Sequence, residues 1–170
     1  MDVDDIINEC ACQHLEKLNI SHRGLVILPP TLSKLVKLKK LFLNDNCLLF
    51  PPIEILHLDQ LEELVLDGNQ LTMLPSDIGS LRNLTILGLN HNPISVLPDA
   101  IDMSNLQIMS MKFNDVTSLE DDIIIGFSKL TKLDLRETLL EDRPPHWKGL
   151  DFILLGKLNV TEETDISESR

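Results

Sequence analysis

The N-terminal segment carries the one group of side chains that suggests metal chemistry, in the sequence Cys10-Ala11-Cys12-Gln13-His14. Cys10 and His14 are four residues apart, so they would share one face of a helix. Zinc takes four protein ligands, or three and a water molecule, and no fourth donor lies nearby in the sequence. We therefore predict no metal site and no cofactor. The segment is interpreted as a buried helix face, with metal binding as the alternative.

Carboxylate pairs and five histidines are the remaining candidates for acid–base chemistry. Asp121-Asp122 and Glu141-Asp142 are predicted to lie in solvated loops, because a working carboxylate pair needs burial that a loop rarely supplies. No phosphate-binding loop, nucleophile elbow or HExxH motif is present. The histidines have no evident serine or cysteine partner and are predicted to lie at the surface: His14, His22, His57, His91 and His146. We therefore predict that the chain is not an enzyme.

A leucine pattern that returns about every 23 residues must position all of these groups. Its clearest unit begins at Leu61 and reads LxxLxLxxNxLxxLPxxIxxLxx, and the unit at Leu84 repeats it. A fixed period of this length indicates a solenoid. Six units and a degenerate seventh begin at Leu15, Leu38, Leu61, Leu84, Leu106, Leu130 and near Leu150. The terminal units are expected to be atypical because one side of each faces water.

The internal order of each repeat predicts an α/β fold. The segment LxxLxL reads as a short strand whose two central leucines point inward. Strands of successive repeats should pair in parallel and form a curved, concave sheet. The segment LPxxIxxL has apolar residues three and four apart, which favours a short helix or 3-10 turn on the convex side.

An asparagine follows the strand in the four central repeats. Asn46, Asn69, Asn92 and Asn114 occupy this position, and the first and sixth repeats have Arg23 and Thr138 there. A buried amide both donates and accepts hydrogen bonds, so it can satisfy backbone groups that the sheet does not reach. We interpret this column as a structural ladder, with a binding role as the alternative.

Both ends of the chain depart from the repeat pattern. Residues 2–13 are predicted to form a helix, with three aspartates in its first turn. Trp147 is the only tryptophan and is predicted to plug the end of the core, with a partner-facing position as the alternative. The predicted domains are an N-terminal helical cap (1–14), the repeat domain (15–160) and an acidic tail (161–170), which we expect to be mobile.

The concave face carries the predicted binding site. Counting from the first leucine of each repeat, the third and fifth residues should point out of the sheet, which places apolar side chains where water is expected. An apolar centre with a polar rim is typical of a protein interface, although strand propensity alone also favours such residues. The predicted partner-binding residues are Phe42, Val65, Ile86, Ile108, Phe113, Asp67, Asn90, His91, Lys112 and Arg136. Gly88 is expected to leave a gap that a partner side chain fills.

The units LEELVLDGNQLTMLPSDIGSLRN and LTILGLNHNPISVLPDAIDMSN resemble a known family. They are similar to the intracellular leucine-rich repeats of about 23 residues with an LP signature, as in the Ras-group-related proteins of plants and scaffold proteins such as scribble. The resemblance covers roughly residues 15–160. It implies a leucine-rich-repeat solenoid that serves protein–protein interaction.

The composition of the chain limits the classes of binding partner and the cellular compartment that we expect for the protein. The net charge is −12, which disfavours nucleic-acid binding and docking on anionic lipid. No stretch is apolar enough for a membrane helix, and no secretory signal is recognisable. Three cysteines without a framework indicate reduced thiols, so we predict a cytoplasmic protein, with the nucleus left open, that is monomeric alone. The predicted function is an adaptor or scaffold; the alternative is a regulatory or targeting subunit of an enzyme such as a phosphatase or a small-GTPase pathway component.

Overall fold

The computed structural model describes residues 1–98 and 103–159. Within these ranges, seven short strands form one parallel sheet in chain order. The strands are β1 (Lys17–Asn19), β2 (Lys40–Phe42), β3 (Glu63–Val65), β4 (Ile86–Gly88), β5 (Ile108–Ser110), β6 (Lys132–Asp134) and β7 (Ile153–Leu154). Each of the first six occupies the third to fifth residues of its repeat. The predicted parallel solenoid is therefore confirmed.

The strand register equals the repeat period, so equivalent residues stand side by side. Leu41 of β2 pairs with Leu64 of β3, and Leu64 pairs with Leu87 of β4. Because strand side chains alternate between faces, this register aligns the inward leucines into one row and the outward residues into another. The inward row lies in a continuous apolar core that runs from Ile7 near the N-terminus to Ile153 in β7.

Short helices form the convex side. Within residues 1–98 and 103–159, four of them are 3-10 helices, at Pro30–Lys34, Ile53–His57, Ile78–Ser80 and Pro145–Trp147. The fifth repeat instead carries a short α-helix, Asp121–Ile125. The prediction of a loop at Asp121-Asp122 is therefore wrong. Ile123 is buried in the core and anchors this helix, and carboxylates in a first turn complement the helix dipole. Glu141 and Asp142 lie in an exposed loop, as predicted.

The asparagine column forms the predicted ladder of hydrogen bonds. Asn69 Nδ2 donates to the carbonyls of Leu43 (3.0 Å) and Leu66 (2.9 Å), and Asn69 Oδ1 accepts from the backbone N–H of Leu48 (3.1 Å). Asn46 and Asn92 repeat this pattern between their own turns, and Asn114 varies it by donating to the carbonyls of Leu89 and Lys112. In the sixth repeat the hydroxyl of Thr138 donates to its own turn instead, at 2.7 Å from the carbonyl of Leu135.

The N-terminal helix α1 spans Val3–Cys12 and packs against the first repeat. The carboxylate of Asp2 accepts a hydrogen bond from the N–H of Asp4 (3.2 Å), which caps the helix. Ile7 and Cys10 are the buried residues of this helix, and burial raises the pKa of the Cys10 thiol. The domain boundaries remain a prediction, and the predicted tail, 161–170, lies outside the described residues.

Trp147 closes the other end of the core. It is 2% exposed and belongs to the core cluster, which supports the plug over the partner-facing alternative. The guanidinium of Arg143 donates to the carbonyls of Leu150 (2.9 Å) and Ile153 and so ties the last turn to β7. No helix within the described residues has the length and apolar run needed to cross a membrane.

Candidate functional site

Four apolar side chains lie side by side on the concave face of β2–β5. The pairings Phe42–Val65, Glu63–Ile86 and Ile86–Ile108 align them across neighbouring strands. Phe42, Val65, Ile86 and Ile108 form a cluster separate from the core, which we call the concave cluster. The sequence therefore placed these four residues on the correct face of the sheet.

Exposure within the concave cluster differs from the expectation. Phe42 is 2% exposed and Val65 is 0% exposed, so the prediction that they face water is wrong. They pack against each other and against Ile86 and Ile108. The ammonium of Lys17 also lies 5.2 Å from the centroid of the Phe42 ring, within reach of a cation–π interaction. Ile86 and Ile108 are half-buried and present the water-facing part of the cluster.

The expected gap over Gly88 is filled. A Cβ atom at this position would lie 2.9 Å from Asp67 Oδ1 and 3.1 Å from Val65 Cγ1. Both distances are closer than a side chain normally tolerates. Gly88 therefore lets the Asp67 carboxylate approach the sheet, and the prediction of a vacant partner pocket is wrong.

A row of polar side chains borders the concave cluster, and we call it the polar belt. Asp67 Oδ1 accepts from the N–H of Asn90 (3.0 Å), and Asn90 Oδ1 accepts from the hydroxyl of Ser110 (2.7 Å) and from the N–H of Lys112 (2.8 Å). All four of these residues are buried. The belt comprises Asp67, Asn90, Ser110, Lys112, Asp134 and Arg136. Asp67, Asn90 and Lys112 were predicted as partner-binding residues, and the structure buries most of their surface.

The polar belt ends in a bidentate ion pair. Arg136 Nε lies 2.9 Å from Asp134 Oδ1, and Arg136 Nη2 lies 2.7 Å from Asp134 Oδ2. The Asp134 side chain is 0% exposed and that of Arg136 is 12% exposed. Such a fork fixes the guanidinium plane and is stronger than a neutral hydrogen bond. Arg136 was predicted as a rim charge, and its position beside the buried Asp134 makes it a rigid part of the face.

A rim of left-handed residues lies where each of the first six strands leads into its turn. The eighth residue of these repeats has positive φ: His22 (59°), Asp45 (53°), Gly68 (70°), His91 (57°), Phe113 (58°) and Glu137 (58°). Our reading of the sequence missed this feature. The signal was present, because glycine, aspartate and histidine are enriched at such angles.

Two predicted contacts lie on this rim and touch each other. The rings of His91 and Phe113 stack with centroids 4.3 Å apart and planes 8° from parallel. Phe113 is 41% exposed, and His91 is also exposed. His91 directly follows Asn90 in the sequence and Phe113 directly follows Lys112, so the stack adjoins the polar belt.

The groups considered for acid–base or metal chemistry are dispersed. All five histidines are exposed. Cys10 is buried whereas Cys12 is exposed. Across 1–98 and 103–159, no group of three His, Cys, Asp or Glu side chains is placed to hold a metal ion. What the structure brings together is a face of apolar, polar and aromatic side chains on the concave sheet and its rim.

Comparison with known proteins identifies the repeats. Residues 82–140 match the family described as leucine rich repeat, and residues 60–81 match a second leucine rich repeat pattern. An LRR protein of Leptospira interrogans has a similar solved structure, with a TM-score of 0.70 and 28% identity over 93% of this chain. The match covers 46% of that protein, so the chain spans about half its length. No curated protein sequence matches the chain.

Proposed function

We propose that this leucine-rich-repeat solenoid is a non-enzymatic adaptor or scaffold that holds a segment of a protein partner on its concave face. Leucine-rich repeats are protein-interaction domains, and the finer proposal rests on one observation. Ile86 and Ile108 remain partly exposed where they pack against the buried Phe42–Val65 pair, beside a polar belt whose charges are fixed in place. This is the anatomy of an apolar centre with a polar border.

The two parts of the face have different roles in this proposal. Covering Ile86 and Ile108 supplies affinity, at about 25 cal/mol per Å² of apolar surface before the costs of association. The accessible end of the polar belt, at Arg136, supplies specificity, because a partner must match a guanidinium that the carboxylate of Asp134 holds rigidly. The exposed His91–Phe113 stack adds an aromatic contact at the rim.

The proposal also includes the subtype of the leucine-rich repeats, the cellular compartment and the oligomeric state of the protein. The LP signature supports assignment to the scribble-like intracellular subtype of these repeats. Three free cysteines fit a reducing compartment, so we place the protein in the cytoplasm, with the nucleus also open to it. The protein is proposed to be monomeric until it binds its partner.

Lysines at the water-facing part of the concave cluster are expected to weaken partner binding strongly. In the Ile86→Lys/Ile108→Lys variant, a bound partner would bury two ammonium groups against apolar surface. We expect at least about tenfold weaker recovery, which corresponds to a loss of about 1.4 kcal/mol. The measurement is quantitative affinity purification from the source cells, with circular dichroism showing that both forms are folded.

A matched variant controls for added charge. Val36 and Ile125 lie away from the sheet and are 57% and 74% exposed, so Val36→Lys/Ile125→Lys adds the same charge elsewhere. It should keep the wild-type partners. Equal recovery by the concave variant would contradict the proposal. A stoichiometric enzyme among the lost partners would favour a regulatory or targeting subunit over a scaffold.

A further inference from the structure

A second apolar surface runs across the first four repeats, away from the concave sheet. The thirteenth residue of each is a large exposed hydrophobic side chain: Ile27 (65% exposed), Phe50 (66%), Met73 (49%) and Val96 (61%). We call these four residues the apolar stripe. None of them belongs to the core cluster, so packing does not account for them.

The loops that carry the apolar stripe are stacked on one another. The N–H of Cys47 donates to the carbonyl of Leu25 (2.7 Å), and the N–H of Gln70 donates to the carbonyl of Leu48 (2.9 Å). The N–H of Leu71 donates to Asn92 Oδ1 (3.1 Å), which joins the third and fourth loops. Equivalent stripe residues therefore follow one another along the solenoid. Single exposed hydrophobic residues are normal, whereas an aligned row of this kind marks an interaction site.

The charged side chains within the loops that carry the apolar stripe are acidic, and the exposed Arg23 directly precedes the first of these loops. The loop segments 24–31, 47–54, 70–77 and 93–98 contain Glu54 and Asp77 and no lysine or arginine. Glu54 lines a shallow cleft together with Ile27 and Phe50. The whole chain carries a net charge of −12. Charge complementarity thus selects a basic partner and disfavours an anionic membrane or a second copy of this chain.

The distance between neighbouring repeats favours an α-helix as the partner segment that lies along the apolar stripe. Neighbouring repeats are about 4.8 Å apart at the sheet, and curvature widens this spacing toward the convex side. An α-helix advances 5.4 Å per turn, so its apolar residues at i, i+4 and i+7 can follow successive repeats.

We propose that the apolar stripe binds an amphipathic helix of a protein partner whose apolar face is flanked by lysine and arginine. This is the helix-in-groove mode of recognition. The site is separate from the concave cluster, so both surfaces can be occupied together.

A peptide selection on the whole chain tests this proposal. Random peptides of helical length would be displayed on phage, selected on the wild-type protein, synthesised, and measured by fluorescence anisotropy. We expect basic peptides with apolar residues three and four apart. Their binding should weaken at least about tenfold with Phe50→Ser/Met73→Ser. It should be unchanged with Ile125→Ser/Leu139→Ser, which alters residues that are 74% and 63% exposed elsewhere.

Three results would overturn the proposal. Selected peptides that lack helical periodicity or basic residues, or that bind the stripe variant as well as wild type, would remove the proposed partner. A dimer in sedimentation that Phe50→Ser/Met73→Ser dissolves would make a second copy the occupant. Stripe-dependent binding to phosphatidylserine vesicles would make it a membrane surface. Each result leaves the concave proposal intact, because Ile86 and Ile108 are untouched.

Discussion

Replacing Asn69 with alanine is expected to lower the free energy of unfolding by about 2–4 kcal/mol, among the largest effects of any single substitution in this chain. The three shortest hydrogen bonds of the amide join it to buried backbone groups of Leu43, Leu48 and Leu66. Alanine leaves the N–H of Leu48 without that partner, whereas the carbonyls of Leu43 and Leu66 still accept from the amides of Asn46 (3.1 Å) and Asn92 (3.0 Å). An unsatisfied buried group costs about 1–3 kcal/mol and each further hydrogen bond that is lost costs about 0.5–1.5 kcal/mol, and water entering the turn recovers part of the loss.

Chemical denaturation followed by circular dichroism measures this effect, and Asn83→Ala is the matched control. Asn83 Nδ2 also donates to a carbonyl, that of Asp59 (2.8 Å), but the bond is exposed to solvent. Water replaces it, so we expect a change under about 1 kcal/mol. If Asn69→Ala is no more destabilising than Asn83→Ala, the asparagine ladder is not what holds the turns together.

Replacing Trp147 with alanine is expected to destabilise the protein by about 3–5 kcal/mol, the usual range for a buried large aromatic side chain. Trp147 is 2% exposed and packs in the core cluster. Its indole N–H has no hydrogen-bond partner among the described residues, so its contribution is packing. In a solenoid each repeat contacts only its neighbours. The loss should therefore open the C-terminal repeats first.

Hydrogen exchange and denaturation together check this prediction. Backbone amides of β6 and β7 should exchange faster in Trp147→Ala, while those of β2 and β3 keep their protection. Phe50→Ala is the control, because it removes an aromatic ring that is 66% exposed and should change stability by less than about 0.5 kcal/mol. Faster exchange spread evenly over all strands would contradict a local plug.

Much of the fold follows from the sequence because two periodicities coincide. The 23-residue step sets the repeat, and the alternation within LxxLxL sets which side chains point inward. The asparagine column was predictable for the same reason, since one amide per repeat meets the same need in every turn. The α-helix at Asp121–Ile125 was not predicted, because the fifth repeat lacks the LP signature and two aspartates read as a loop.

The sequence predicted which face of the sheet carries the candidate site, but it did not predict how exposed the side chains of that site are. Alternation placed Phe42 and Val65 on the concave side, but burial depends on what the neighbouring strands place beside them. Lys17, one repeat away, covers the Phe42 ring. The carboxylate of Asp67 reaches the space left by Gly88. Such contacts depend on rotamers and local pairing that spacing does not encode.

Site-specific photo-crosslinking tests the central claim most directly. A photo-reactive phenylalanine analogue would replace Ile86 or Ile108 on the concave face, and Val36 or Ile125 as controls of similar chemistry away from the sheet. After irradiation in the source cells, the account predicts adducts with one protein segment from positions 86 and 108 and none from 36 and 125. Adducts from the control positions alone would contradict a partner on the concave sheet.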